Sequence, residues 1–442
     1  MEFTNNTNDC IQNVVLISFD SLRSDYIERI NPADAPTFCR MRDEGAFFRN
    51  VIVQAPFTIP SHASMLSGLY PAKTGVHDMN HRVPPEVPTI FSILKERGFH
   101  TIGSSPTPLL TASRAGFKGI DHHVSFRCRK LKRTLIGLNG KRFFTFLHYW
   151  AIHTPYETWL PGCRPLDVAL NVLGASRELE NIRFARRFGD MLWLLRIKRI
   201  RTLLKEGHER IIPAIQKGYK KALIKADRYL AKILNLLKQS GLAEKTLVVV
   251  TGDHGDSFNE HGEIDRAVDG RYEHGQFLYD NVLRVPLIFF CEGRRLSRVF
   301  DAQVQEVDIM PTLLEALGVD YQDGMDGKSL WRENIMKGVS PEETFTFSEV
   351  VRDSLGIELR CVRSSAYKLI RDYKRNAYEL YDLKADSGET SNLYAANESN
   401  EKAILLDALQ RFSECQSTKQ ATYTEDEQQA IEKTLRDLGY ID

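Results

Sequence analysis

The sequence predicts an α/β protein: a central, mostly parallel sheet flanked by helices, then a smaller C-terminal α+β subdomain. Three observations predict it. Continuous apolar runs rich in β-branched residues recur along the first part of the chain, as strands buried on both faces require. A long helical pattern lies between them, and such alternation builds a parallel sheet covered on both sides. Beyond about residue 340 the texture changes to short strand-like pieces and a polar, helix-rich tail. The expected division is therefore residues 1–340, with a basic helical insertion at about 160–215, and residues 341–442.

The first strand candidate is Asn13 to Asp20, which ends in a carboxylate. Arg142 to His148 is the next and leads to His153. Gly218 to Gln239 carries Leu223, Ala226, Leu230, Ile233 and Leu237 at helical spacing. Thr246 to Thr251 follows and ends in Gly252-Asp253-His254-Gly255, and Val285 to Phe290 is a further apolar run. The C-terminal pieces are Thr344 to Val351, Glu358 to Arg363, Tyr367 to Ile370 and Glu379 to Asp382. Ligands of parallel sheets bind beyond the carboxyl ends of the strands, and Asp20, His153, Asp253 and His254 all sit there.

Composition narrows the function. Of 442 residues, 42 % are hydrophobic, enough for a sizeable core. Lys+Arg total 59 against 58 for Asp+Glu, a net charge of +1 that argues against a nucleic-acid partner. No apolar run is long enough to cross a membrane, and the first residues carry no secretory pattern. The seven cysteines (Cys10, Cys39, Cys128, Cys163, Cys291, Cys361, Cys415) are scattered without a CxxC pair. A reduced, cytoplasmic protein is the expectation. A local basic stretch, Arg183 to Lys205, puts Phe184, Phe188, Leu192 and Leu195 on one helical face with arginines and lysines around them. It could rest peripherally on an anionic membrane or grip a lipid-linked substrate; the plainer reading is a helix packed on its own protein or a second subunit.

Phe57 to Gly68 reads as a loop entering a helix, with Pro60 in the first turn and Gly68 at the end. Thr58 then lies at the helix N-terminus, where its hydroxyl either caps the helix or attacks an anionic centre held by the free N–H groups. Asp253 and His254 could offer one oxygen and one nitrogen to a divalent cation, and Asp20 a third ligand. Taken singly, each of these is equally an ordinary loop or capping residue.

Read together, the motifs are similar to those of a known family. NVVLISFDSLRSD (13–25), TIPSHASMLSG (58–68), HYWAIHTPY (148–156), TGDHGDSFNEHG (251–262) and YEHGQFLYDNVLRVPLIF (272–289) resemble, in order, landmarks of the sulfatase branch of the alkaline phosphatase superfamily. Val307 to Leu314 and Glu379 to Leu383 with Asn392-Leu393 match later ones. The resemblance spans nearly the whole chain and implies an alkaline-phosphatase-like fold. It also implies one divalent metal ion (Zn, Mn, Ca or Mg) held by Asp20, Thr58, Asp253 and His254; His153 and His274 are candidates for holding ester oxygens or protonating the leaving group, or else structural histidines.

Three departures bear on chemistry. Sulfatases convert a Cys or Ser to formylglycine, whereas Thr58 has no route to an aldehyde. Thr is the nucleophile in relatives that cleave or transfer phosphodiesters. Ser21 stands where a second acid is usual, and His62 stands where an Arg follows Pro-Ser, removing a guanidinium that would clamp the anion. Asp227 has no partner His at helical spacing, so one metal rather than two is expected. The expected function is metal-dependent hydrolysis or transfer of a phosphate ester, a phosphodiester first, on a substrate that could be glycan- or lipid-linked. The alternatives are a sulfatase working without formylglycine and a sulfatase-like binding protein without catalysis.

Overall fold

The computed structural model describes residues 11–105, 110, 115–124, 128–138, 140–150, 152–156, 198, 200–207, 209–268, 272–321, 324–396 and 399–414. Among the described residues, nine strands form the main sheet: β1 (Asn13–Phe19), β2 (Ala46–Ile52), β3 (His100–Ser104), β4 (His122–His123), β5 (Phe143–Tyr149), β6 (Thr246–Gly252), β7 (Arg284–Phe290), β8 (Arg298–Phe300) and β9 (Val304–Gln305). Their order is β4-β3-β5-β1-β6-β7-β2-β8, with β9 also on β2. Pairing is parallel from β4 through β6. The Val285–Phe290 run is a strand, but β7 runs antiparallel to both neighbours, so the sheet is mixed, mostly parallel.

The apolar runs are continuous because both faces are covered. Val14 and Leu16 of β1 join one buried cluster, while Val15, Ile17 and Phe19 join the other. Leu247 and Val249 of β6 divide from Val248 and Val250 in the same way. The period-2 side-chain alternation of a strand therefore feeds two cores at once. Helix α1 (Pro36–Glu44) packs on the second of these faces, as does α3, while α2 (Thr58–Ser67) packs on the first. Helix α3 spans Ile212–Gln239, six residues longer at its start than Gly218, because Pro213 fits a first helical turn. It buries Tyr219, Leu223, Leu230 and Ile233 against the sheet. Asp227, on the same helix, accepts the Phe38 N–H at 2.7 Å, a structural role.

Most of the basic stretch, residues 183–197, lies outside the described residues. At its described end, Ile200 and Leu204 are buried in the same core as Tyr219, so these two apolar side chains pack on the protein itself.

Strands β10 (Thr346–Arg352), β11 (Ile357–Arg363), β12 (Tyr367–Asp372) and β13 (Ala377–Asp382) form a four-stranded antiparallel sheet. Helix α5 (Asn400–Glu414), so numbered because α4 (Ile309–Ala316) precedes it, sets Leu405 and Leu409 on Val362, Leu369 and Leu380. The later tail lies outside the described residues.

A buried ionic knot ties the two sheets. Lys368 of β12 is fully buried between Asp280 (2.9 Å) and Glu389 (2.7 Å), and Arg363 of β11 reaches Asp280 at 2.8 Å. Burial would raise the Asp280 carboxyl, yet Arg363 and Lys368 hold it well below the carboxylate range. Removing one member of such a knot strands a buried charge. Lys368→Met should therefore lower stability by about 3–5 kcal/mol in urea unfolding. Pairing it with Glu389→Gln should recover part of the loss.

Candidate active site

The carboxyl ends of β1 and β6 lie side by side, so the residues that follow them meet. Asp20 Oδ1 lies 3.7 Å from His254 Nε2, and Asp253 Oδ2 lies 3.6 Å from the same nitrogen. All three residues are buried, and one ligand atom from each falls within 4.8 Å of the others. His254 donates Nδ1–H to the Gly255 carbonyl at 2.7 Å, which leaves Nε2 with its lone pair toward the carboxylates. Gly255 is required here, because a Cβ would sit 2.0 Å from the Asn281 carbonyl oxygen.

Polar satisfaction is incomplete in a telling way. Among the described residues, Asp20 Oδ2, Asp253 Oδ2 and His254 Nε2 are buried with no hydrogen-bond partner. Buried polar atoms without partners are rare and costly, and three that converge fit a divalent cation. Burial, then the charge of Asp20, pushes the Asp253 carboxyl up to about 6. Burial also raises Asp20, against the pull of His153 and His254. Burial, then His274, pushes the His254 imidazole down to about 4. Burial leads all three shifts, with a like charge adding to it at Asp253 and a neighbouring imidazole adding to it at His254.

Ser21 explains how the site works without a second acid at that position. Its hydroxyl donates to Asp20 Oδ1 at 3.1 Å and its N–H to Asp253 Oδ1 at 3.2 Å. This requires a left-handed backbone, φ 63°, unusual for serine and held by those two bonds.

Thr58 is the first residue of α2, and Phe57 is the residue that caps it, so Thr58 is not the cap. Thr58 is buried, and the start of α2 is fastened to the Asp253 loop. The Ser61 hydroxyl donates to the Asp253 carbonyl at 2.5 Å, and the same oxygen lies 2.7 Å from Glu306 Oε1. His62 donates Nδ1–H to the Thr58 carbonyl at 2.7 Å, and its Nε2 accepts the Ser18 hydroxyl at 2.8 Å. Because a carbonyl only accepts, these bonds fix the neutral tautomer. Burial lowers the ring to about 3. A second grouping of ligand types, His62, His148 and Asp253, is therefore not a metal site: both His62 nitrogens are committed.

His153 and His274 lie at the rim with ring centres 5.0 Å apart, and His274 is 4.4 Å from His254. His153 donates Nδ1–H to the Thr154 carbonyl at 2.8 Å. His274 Nδ1 lies 3.0 Å from Asp256, whose other oxygen accepts the Tyr156 hydroxyl at 2.6 Å. Asp256, Ser61 and Glu306 were not singled out from the sequence. Asp256 carried a signal, two residues after His254 in TGDHGD, whereas Glu306 becomes visible only when β9 brings it beneath α2.

The family model described as Sulfatase matches residues 12–127 and 128–319, and that described as N-sulphoglucosamine sulphohydrolase, C-terminal, matches 269–417. Arylsulfatase K of Gallus gallus is 22 % identical over 430 residues, covering 86 % of this chain and 78 % of that protein. The solved structure of BT4656 in complex with its substrate D-glucosamine-2-N,6-O-disulfate superposes with a TM-score of 0.69 at 18 % identity, covering 91 % of this chain and 97 % of that one. The phosphonate monoester hydrolase SpPMH from Silicibacter pomeroyi gives 0.63 at 17 % identity, covering 91 % and 94 %.

Metal-stripped protein should bind one divalent ion per chain in calorimetry. Asp253→Asn and His254→Ala should each weaken binding by at least about a hundredfold, ligands mattering more than their outer partners. His62→Gln should still bind one ion.

Proposed function

Because the chain belongs to the sulfatase family, we propose that it is a metal-dependent hydrolase of a sulfuric ester carried on a glycan, acting through the hydroxyl of Thr58. The observation that carries this reading is the convergence of three unpartnered buried ligand atoms, from Asp20, Asp253 and His254, beside the helix that begins at Thr58. The glycan and the sulfuric ester come from relatives: an arylsulfatase and a sulfatase-fold protein bound to a sulfated glucosamine.

A divalent cation would be held by Asp20, Asp253, His254 and the Thr58 oxygen, lowering the pKa of that hydroxyl and screening the ester's charge. Thr58 sits where free N–H groups at a helix N-terminus favour an incoming anion. The hydroxyl gives up its proton to solvent water, its oxygen attacks the sulfur, and the bond from sulfur to the alcohol oxygen breaks. His274, oriented by Asp256, gives the departing oxygen its proton, in the manner of an imidazole held by a carboxylate. His153, beside it, orients the ester oxygens. Water then attacks the sulfur, releasing sulfate and restoring the threonine hydroxyl.

A second reading has a specific observation behind it. Residue 58 is threonine, and a hydroxyl nucleophile suits a phosphate ester, whose phosphothreonine intermediate a second in-line attack resolves. SpPMH, a phosphonate monoester hydrolase of the same fold, accords with it.

Thr58→Ala should reduce turnover by at least about a thousandfold with the unfolding midpoint unchanged. Parallel assays on an aryl sulfate, a glucosamine sulfate, a phosphate monoester and a phosphodiester decide between the readings. Sulfate turnover at least tenfold above phosphate supports the first, and the reverse ratio supports the second. Full activity of Thr58→Ala on any of them removes the nucleophile.

A further inference from the structure

The main sheet and the C-terminal sheet meet at Val53 and Gln54, on the segment that leads to Thr58. Strand β10 lies against the residues after β2: Glu349 N–H bonds the Gln54 carbonyl at 2.9 Å, and the Ser348 hydroxyl bonds the Val53 carbonyl at 2.5 Å. This register fixes the end of β10, Arg352, over the segment that leads into α2. The guanidinium carbon lies 5.8 Å from the centre of the Phe57 ring. Its Nη1 lies 3.7 Å from the point a Cβ on Gly275 would occupy, and Phe57 Cβ lies 3.7 Å from that same point. Phe57 precedes Thr58 and Gly275 follows His274. The cation therefore spans the two segments that bring in the nucleophile and the proton donor.

The charge balance of the site gives that cation a task. Two carboxylates, Asp20 and Asp253, offset a divalent ion's two positive charges, so an entering ester anion meets no net positive charge from them. Two guanidinia near the site are engaged elsewhere. Arg23 bonds Asp25, Glu260 and the Asp256 carbonyl, and Arg201 forms a two-pronged pair with Glu273. Arg352 pairs with Asp78 at 3.6 Å, and the side chain keeps 12 % of its surface exposed. A planar guanidinium has five donors and suits two oxygens of a tetrahedral anion.

We propose that Arg352, supplied by the C-terminal sheet, binds non-bridging oxygens of the ester group under attack, in place of the guanidinium that His62 cannot provide. The inference rests on the ester-cleaving reading of the site. It names the residue through which the second sheet takes part in the chemistry. Neither the sheet order nor the family motifs pointed to it from sequence.

The test is anion binding, which needs no turnover. Metal-loaded protein carrying Thr58→Ala is titrated with inorganic sulfate and inorganic phosphate, alone and with Arg352→Gln, Arg352→Lys or Asp78→Asn added. Arg352→Gln should weaken both anions about tenfold or more, as loss of a charge-assisted bond does. Arg352→Lys should fall between, and Asp78→Asn should bind as before. Metal content and unfolding midpoint should be unchanged throughout. Should Arg352→Gln fail to fold, Arg352→Lys carries the comparison.

Three results overturn the proposal: binding by Arg352→Gln within twofold of its parent; Asp78→Asn as weak as Arg352→Gln, which makes the pair a structural strut; or no binding of either anion by the Thr58→Ala parent. If the unaltered protein turns over no ester at all, the function proposed above fails while this titration still reads Arg352.

Discussion

Two buried carboxylates and an imidazole nitrogen, set within 4.8 Å of one another with no hydrogen-bond partner for their facing atoms, constrain everything around them. A folded chain does not keep such a cluster without a counterpart, since each unpaired buried group costs free energy on the order of a kcal/mol or more. The parallel register of β1 on β6 creates the cluster by ending both strands at one level, Phe19 opposite Gly252. The cost of bringing like charges together is thus built into the sheet itself, and a divalent cation held by these residues would relieve it.

The surrounding residues make sense as supports of that cluster. Ser21 gives both carboxylates a donor where an acid would have added a third negative charge. His62 holds the first turn of α2 to β1 through Ser18, and Ser61 holds it to Asp253. Asp256 holds His274, and Tyr156 holds Asp256. Loss of the arginine at position 62 is then a change of scaffold. An arginine there would have to bury its charge where a neutral histidine now sits fully enclosed against Phe146 and His148.

Much of this was legible in the sequence, for identifiable reasons. Strands buried on both faces write themselves as unbroken apolar runs, so β1, β5, β6 and β7 could be read directly, and their carboxyl ends named Asp20, Asp253 and His254. Strands β2 and β3 were not singled out: Arg49 and Asn50 interrupt the first, and His100, Gly103 and Ser104 dilute the second. The antiparallel direction of β7 is fixed by pairing, which no run of residues encodes. Contacts made across long sequence separations, such as Ser61 with Glu306 and Arg352 with the Phe57 ring, were illegible for the same reason.

The account stands or falls on the Thr58 oxygen and the metal sharing one coordination sphere. A crystal of the metal-loaded protein, with the ion located by anomalous scattering, tests this directly. The account predicts a single strong peak at bonding distance, about 2.0–2.6 Å, from oxygens of Asp20, Asp253 and Thr58 and from His254 Nε2. A peak bound elsewhere, or one at Asp20, Asp253 and His254 with the threonine hydroxyl turned away beyond bonding reach, would contradict it.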